Sequence, residues 1–219
     1  KQYFGDENNN FIASGAGSGQ VGIDSGATLN ILIGRGTGKL ITSGQRNILM
    51  GLSSGCDMTT ASNNIGLGYN SLRHSISGSN NVAIGRKAGR GLITGHQNIY
   101  LGESAGMSNS AGSCNIAIGY LTDWGGATTH CGICNIFLGK LSGGARFFNG
   151  FRDSFIGNIF LGSCSAHAAF ACCGAFCDTH QVNSKFGNNT VIGEQAGIRI
   201  GSAPGYVDIV ENVYLGRSS

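Results

Sequence analysis

The cysteines are the first residues in this chain that could do chemistry. Eight cysteines and five histidines lie among 219 residues. Cys131 and Cys134 are separated by two residues, with His130 beside them and His167, Cys172 and Cys177 further along. That spacing is metal-like, but it lacks a clean second pair of zinc ligands. Disulfides are the preferred expectation for so many cysteines in a glycine-rich chain, and they point to an oxidising, extracellular setting. No metal or other cofactor is expected.

Catalysis by the remaining groups is not expected either. Hydrolysis of a glycosidic bond needs two carboxyls within about 5–10 Å. The eleven acidic residues form no repeated column, and Glu103 and Glu194 share a slot only several repeats apart. The histidines show no serine or aspartate partner at a recognisable spacing. Gly34-Arg-Gly-Thr-Gly38-Lys39 invites comparison with a phosphate loop, but no helix follows and a chain corner is the better reading. The net charge of +3 is spread without a basic run, so nucleic acid is not an expected partner. The longest apolar stretch, 168–176, is about half the ~20 residues a spanning helix needs, and no membrane insertion is expected.

The elements that would position these groups follow from a repeat. Asn30-Ile-Leu-Ile-Gly34 recurs from Asn47, Asn64, Asn81, Asn98 and Asn115 at one fixed spacing. The gaps then lengthen, and the unit returns at Asn135, Asn158, Asn189 and Asn212. A period of about 17 residues marks a solenoid, each repeat one turn stacked on the last. The expected fold is all-β: a single-chain parallel β-solenoid with ~17-residue rungs and side insertions. One domain is expected over 1–219, with irregular first rungs (1–29), regular rungs (30–134), rungs with insertions (135–211) and a partial last rung (212–219).

Within a rung, the positions one and three after the asparagine are aliphatic, as in Ile31 and Ile33 or Val82 and Ile84. Alternate strand positions share a face, so these two columns are expected to form the core. Glycine at the fourth position turns the corner, a small residue follows at the seventh, and two or three short strands per turn are expected. The ten asparagines are expected to stack as a hydrogen-bonded amide ladder. The column two after the asparagine then points outward. It carries Tyr100, Phe137 and Phe160, which with Phe147 and Phe170 of the insertions are expected to form a lateral contact surface. Thr42 and Thr59 stack, but Ile76, Ile93 and Ser110 break any flat threonine array of the ice-binding kind. Cys114 and Cys134 each directly precede a ladder asparagine in consecutive rungs. Equivalent residues about 4.8 Å apart can be bridged, and a Cys114–Cys134 disulfide is expected.

Asn81-Val-Ala-Ile-Gly-Arg-Lys-Ala-Gly89 and Asn115-Ile-Ala-Ile-Gly119 resemble the head repeats of trimeric autotransporter adhesins. They are also similar to glycine-rich repeats of some phage tail fibres. The resemblance implies a left-handed parallel β-roll that binds host matrix or cell surfaces. The adhesin heads have shorter repeats and typically lack cysteine.

The last unit runs from Asn212 for less than half a turn, and the residues before Asn10 would supply the remainder. Head-to-tail stacking is expected from this phase, through Lys1, Gln2, Tyr3, Phe4 and Phe11 at one end and Val213, Tyr214 and Leu215 at the other. The expected function is therefore structural, an extracellular fibre of stacked solenoid subunits without enzymatic activity. The alternative is an adhesin or phage-fibre-like module that binds a surface glycan or matrix protein. Secretion, the cell surface or a virion fibre is the expected location.

Overall fold

The computed structural model describes residues 11–13, 26–122, 132–143, 155–165, 186–194, 209–210 and 212–216. In chain order the strands are β1 (Phe11–Ala13), β2 (Ile31–Ile33), β3 (Ile48–Met50), β4 (Ile65–Leu67), β5 (Val82–Ile84), β6 (Ile99–Leu101) and β7 (Ile116–Ile118). They continue with β8 (Ile136–Leu138), β9 (Phe155–Ile156), β10 (Ile159–Leu161), β11 (Phe186–Gly187), β12 (Thr190–Ile192), β13 (Ile209–Val210) and β14 (Val213–Leu215). Eleven of them form one parallel sheet in the order β1 to β8, then β10, β12 and β14. Register follows the repeat: Ile31 pairs Ile48, Ile48 pairs Ile65, and Ile65 pairs Val82. The chain is a parallel β-solenoid, and no described residue is helical.

Each regular rung carries one strand rather than two or three. Between β2 and β3, and between β3 and β4, the chain is all turn and bend. These turns are still laddered rung to rung, for example Gly38 N–H to Ser54 O (3.0 Å), Leu40 N–H to Cys56 O (3.1 Å) and Thr42 N–H to Thr59 O (3.0 Å). A second sheet enters only in the later rungs, where β9, β11 and β13 pair in parallel just before their asparagines. The corners depend on glycine. Gly85 has φ +134°, and a Cβ there would lie 2.5 Å from Gly102 O of the next rung. The backbone conformation and the close approach both exclude a side chain.

The expected assignment of core and surface is inverted. Leu32, Leu49, Ala83, Tyr100, Ala117, Phe137, Phe160 and Val191, two after the asparagine, are buried, whereas Ile31, Ile48, Met50, Ile84, Ile99, Ile118 and Ile192 are exposed. Tyr100, Phe137 and Phe160 are therefore core residues, not a lateral surface; Phe137 and Phe160 stack with ring centroids 5.3 Å apart. Phe147 and Phe170 lie outside the described residues. Ile41, Met58 and Leu92 close the core from the far side of the turn.

The narrow interior explains the volume pattern. A Cβ on Gly55 would lie 2.6 Å from Leu49, and one on Gly106 or Gly143 would overlap the ring of Tyr100 or Phe137. Each of these large core residues thus faces a glycine later in its own rung. Where the core residue is itself Gly66, the facing position is the buried Leu72. Close packing requires such compensation, because backbone ladders fix the rung spacing and leave no room to adjust.

The asparagines fill the remaining interior corner. Asn30, Asn47, Asn64, Asn81, Asn98, Asn115, Asn135, Asn158 and Asn189 have no exposed surface. Asn64 Oδ1 accepts from both Asn81 N–H (2.9 Å) and Asn81 Nδ2 (3.1 Å), and Asn81 Nδ2 also donates to Gly95 O (2.9 Å). The amide-to-amide link repeats nine times, from Asn30–Asn47 to Asn189–Asn212. Burial of a primary amide is tolerated here because its donors and acceptor are used. Alternation then forces the position two residues on, on the same side of the strand, into the core.

Candidate functional site

Inversion of the core leaves two apolar columns exposed on the outer face of the sheet. Two aliphatic columns run along it, one through Ile31, Ile48 and Ile99, the other through Met50, Ile84, Ile118 and Ile192. Relative exposures in both are 37–40%. Strands spaced about 4.8 Å apart make this face roughly 50 Å long, and the two columns with their side chains cover about 10 Å of width. The resulting strip, on the order of 500 Å², lies in the upper range of apolar patches on monomeric proteins.

Mostly polar columns border the strip, interrupted by the exposed Leu29 on one side and by Leu52, Tyr69 and Tyr120 on the other. On one side Arg46, Asn63, Asn80 and Gln97 precede the asparagines in exposed positions. Beyond the glycine corner on the other side, Arg86 and Glu103 of successive rungs form an ion pair at 2.5 Å, and Lys140 lies over the Tyr120 ring. The exposed ion pair contributes little to stability. An apolar centre with a polar rim is the anatomy of a protein interface.

The sheet ends on β1 and β14, each with one neighbour among the described strands. Phe11 opens β1, Val213, Tyr214 and Leu215 form β14, and Val213 and Leu215 are about two-thirds exposed. Lys1, Gln2, Tyr3 and Phe4 lie outside the described residues.

Cys114 and Cys134 occupy adjacent rungs, but both are exposed free thiols and the expected disulfide is not present. Both residues share one left-handed backbone conformation, with φ 59° and 57°. Parallel in-register positions with the same dihedrals send their side chains out side by side, whereas a disulfide needs them to converge. The Cys134 thiol is pushed above its ordinary value, first by desolvation and then by the neighbouring Cys114, with which it shares a hydrogen bond. Cys56 and Cys164 are free as well, while His130, Cys131, His167, Cys172 and Cys177 lie outside the described residues.

One histidine does have an acidic partner, contrary to the expectation from spacing. His74 Nδ1 lies 2.6 Å from Asp57 Oδ2, one rung apart. Cys56 adjoins this pair, yet its thiol is raised, by burial first and then by a hydrogen bond and charge from Asp57. Activation of a thiol requires the opposite shift.

Comparison with family models, with curated proteins and with solved structures returned no match.

Proposed function

We propose that this chain is a structural subunit whose solenoid packs its aliphatic outer face against further copies, building a fibre at or outside the cell surface. The carrying observation is the strip itself: two exposed apolar columns along a parallel sheet. Parallel sheets ordinarily have both faces covered, and here the described turns cover only the inner one. A second copy suits the strip because both surfaces then share one rung period, and ridges of one column meet grooves of the other along the whole length. Two facing strips would bury about 1,000 Å² in total, the lower limit of a specific interface. At about 25 cal/mol per Å² that is roughly 25 kcal/mol gross, against about 4–15 kcal/mol of lost rotational and translational freedom.

Stacking end to end, with β14 of one copy against β1 of the next, would extend the same register and lengthen the fibre. The likeness to adhesin heads and phage fibres supports an extracellular placement for such a rod. It also favours a second reading, surface attachment through the sides that assembly leaves free.

Ile84→Asp with Ile118→Asp tests the lateral interface. These positions lie on β5 and β7, two rungs apart, so the new charges sit about 10 Å from each other. The wild-type chain is expected to form multimers by light scattering coupled to size exclusion. The double variant should be monomeric with an unchanged circular dichroism spectrum. A monomeric wild type across the accessible concentration range would overturn the proposal.

A further inference from the structure

One side of the rod carries cations that form no ion pair among the described residues. A cleft of about 400 Å³ opens between three successive rungs and is lined by Arg35, Lys39, Leu52, Ser53, Cys56 and Arg73. Lys39, Cys56 and Arg73 are equivalent positions in those three rungs, so the ammonium and guanidinium stems flank the thiol from the rungs on either side. Lys39 and Arg73 are like charges two rungs apart, whereas Arg86 and Glu103, one rung apart, form an ion pair. No ion pair forms at Arg35, Lys39 or Arg73 among the described residues. Arg73 Nε is buried and has no hydrogen-bond partner. Asp57, the acid beside Cys56, is paired with His74 and also hydrogen-bonds the Cys56 thiol.

We propose that this cleft binds an anionic sugar unit, its sulfate ester or carboxylate held between Arg35, Lys39 and Arg73. Guanidinium forks pair with such planar or tetrahedral oxyanions through two parallel hydrogen bonds, and the lysine adds a point charge. Ser53 offers a hydroxyl to the ring and Leu52 an apolar wall. The volume lies within the small-molecule range of about 300–1,000 Å³, more than a bare ion needs. Lys39 and Arg73 both act electrostatically on the thiol of Cys56, so their charges lie near it. Arg35 and Leu52 of the cleft stand in the column that borders the strip, so binding is measured on the monomeric Ile84→Asp, Ile118→Asp chain to read the site apart from assembly.

The test combines binding with protection of Cys56 from iodoacetamide, read by the mass of the Cys56 peptide. A heparin-derived oligosaccharide and a hyaluronate oligosaccharide supply sulfate and carboxylate, with neutral dextran and inorganic sulfate as controls. At least one anionic oligosaccharide is expected to bind, to slow alkylation of Cys56 and to be displaced by high salt. Arg35→Gln with Arg73→Gln should weaken binding about tenfold or more, the loss of two charge-assisted contacts. Arg46→Gln, an exposed cation at the edge of the sheet, should leave it unchanged. Equal weakening by Arg46→Gln, or binding without protection of Cys56, would overturn the site. Equal protection by inorganic sulfate at the same concentration would overturn its assignment to a sugar.

Discussion

Tyr100→Ala is expected to lower the opening free energy of the central rungs by about 3–5 kcal/mol. Ile99→Ala, one residue away, should cost about 1 kcal/mol or less. Amide hydrogen exchange in β5 to β7 measures both, and suits a repeat array in which a single global unfolding energy is not well defined. The asymmetry follows from where the two side chains sit. Tyr100 has no exposed surface and lies between Ala83 and Ala117 in the strands on either side. Its ring fills the space over Gly89 and Gly106, where added Cβ atoms would run into it. Truncation leaves a void lined by glycine and alanine, and laddered rungs cannot move together to close it. Ile99 faces outward with 37% exposure and loses only contacts with its column. Equal costs, or a larger cost at Ile99, would contradict the inverted core.

Asn81→Leu is the second substitution with a large expected effect, a loss of about 3–6 kcal/mol read by the same exchange measurement. Leucine matches the shape of asparagine but has no polar atoms. Gly95 O loses its donor from Asn81 Nδ2, and Asn98 N–H and Nδ2 lose their shared acceptor. Each buried group left without a partner costs about 1–3 kcal/mol. Asn64 Oδ1 retains its bond from the backbone N–H of residue 81, which limits the damage on that side. Protection should fall in the rungs of Asn64 and Asn98 as well as in that of Asn81. Loss confined to residue 81, or none, would show that asparagine is kept only as a turn residue.

The period and its glycine corners were legible in the sequence because each has one physical cause. A short strand closed by glycine once in every repeat can stack only as a parallel coil, and the register follows from the spacing. Which side of the strand faces inward was not legible from hydrophobicity, since Ile31 and Ile33 are more apolar than Gly66 or Ala83. Alternation fixes only which positions share a face. The information was in the asparagines: a stacked amide ladder inside the turn commits the residue two positions on to the core. Volume was a second indication. The outer columns vary little in size, whereas Leu49, Gly66, Ala83 and Tyr100 vary widely and are matched by Gly55, Leu72, Gly89 and Gly106.

The cationic cleft was hidden differently. Gly34 to Lys39 reads correctly as a corner, with Gly34, Gly36 and Gly38 all at positive φ. The chemistry comes from Arg73, two rungs later, and shows only when Lys39, Cys56 and Arg73 are set in one column. The short second sheet, β9, β11 and β13, arises where rungs are longer than the regular repeat, and the repeat alone gives no sign of it.

The inward placement of the asparagine ladder and its following residue can be measured directly by thiol labelling. Ala83→Cys and Ile84→Cys put a sulfur on neighbouring residues of one strand, at 0% and 40% exposure in the native chain. In the folded protein, diluted until light scattering reads a monomer, peptide mass mapping should show Ile84→Cys modified at a rate near that of a free thiol. Ala83→Cys should react slower by about 100-fold or more, because it must wait for local opening. The reverse order would place the isoleucine columns inside and contradict both the core and the lateral interface built on it.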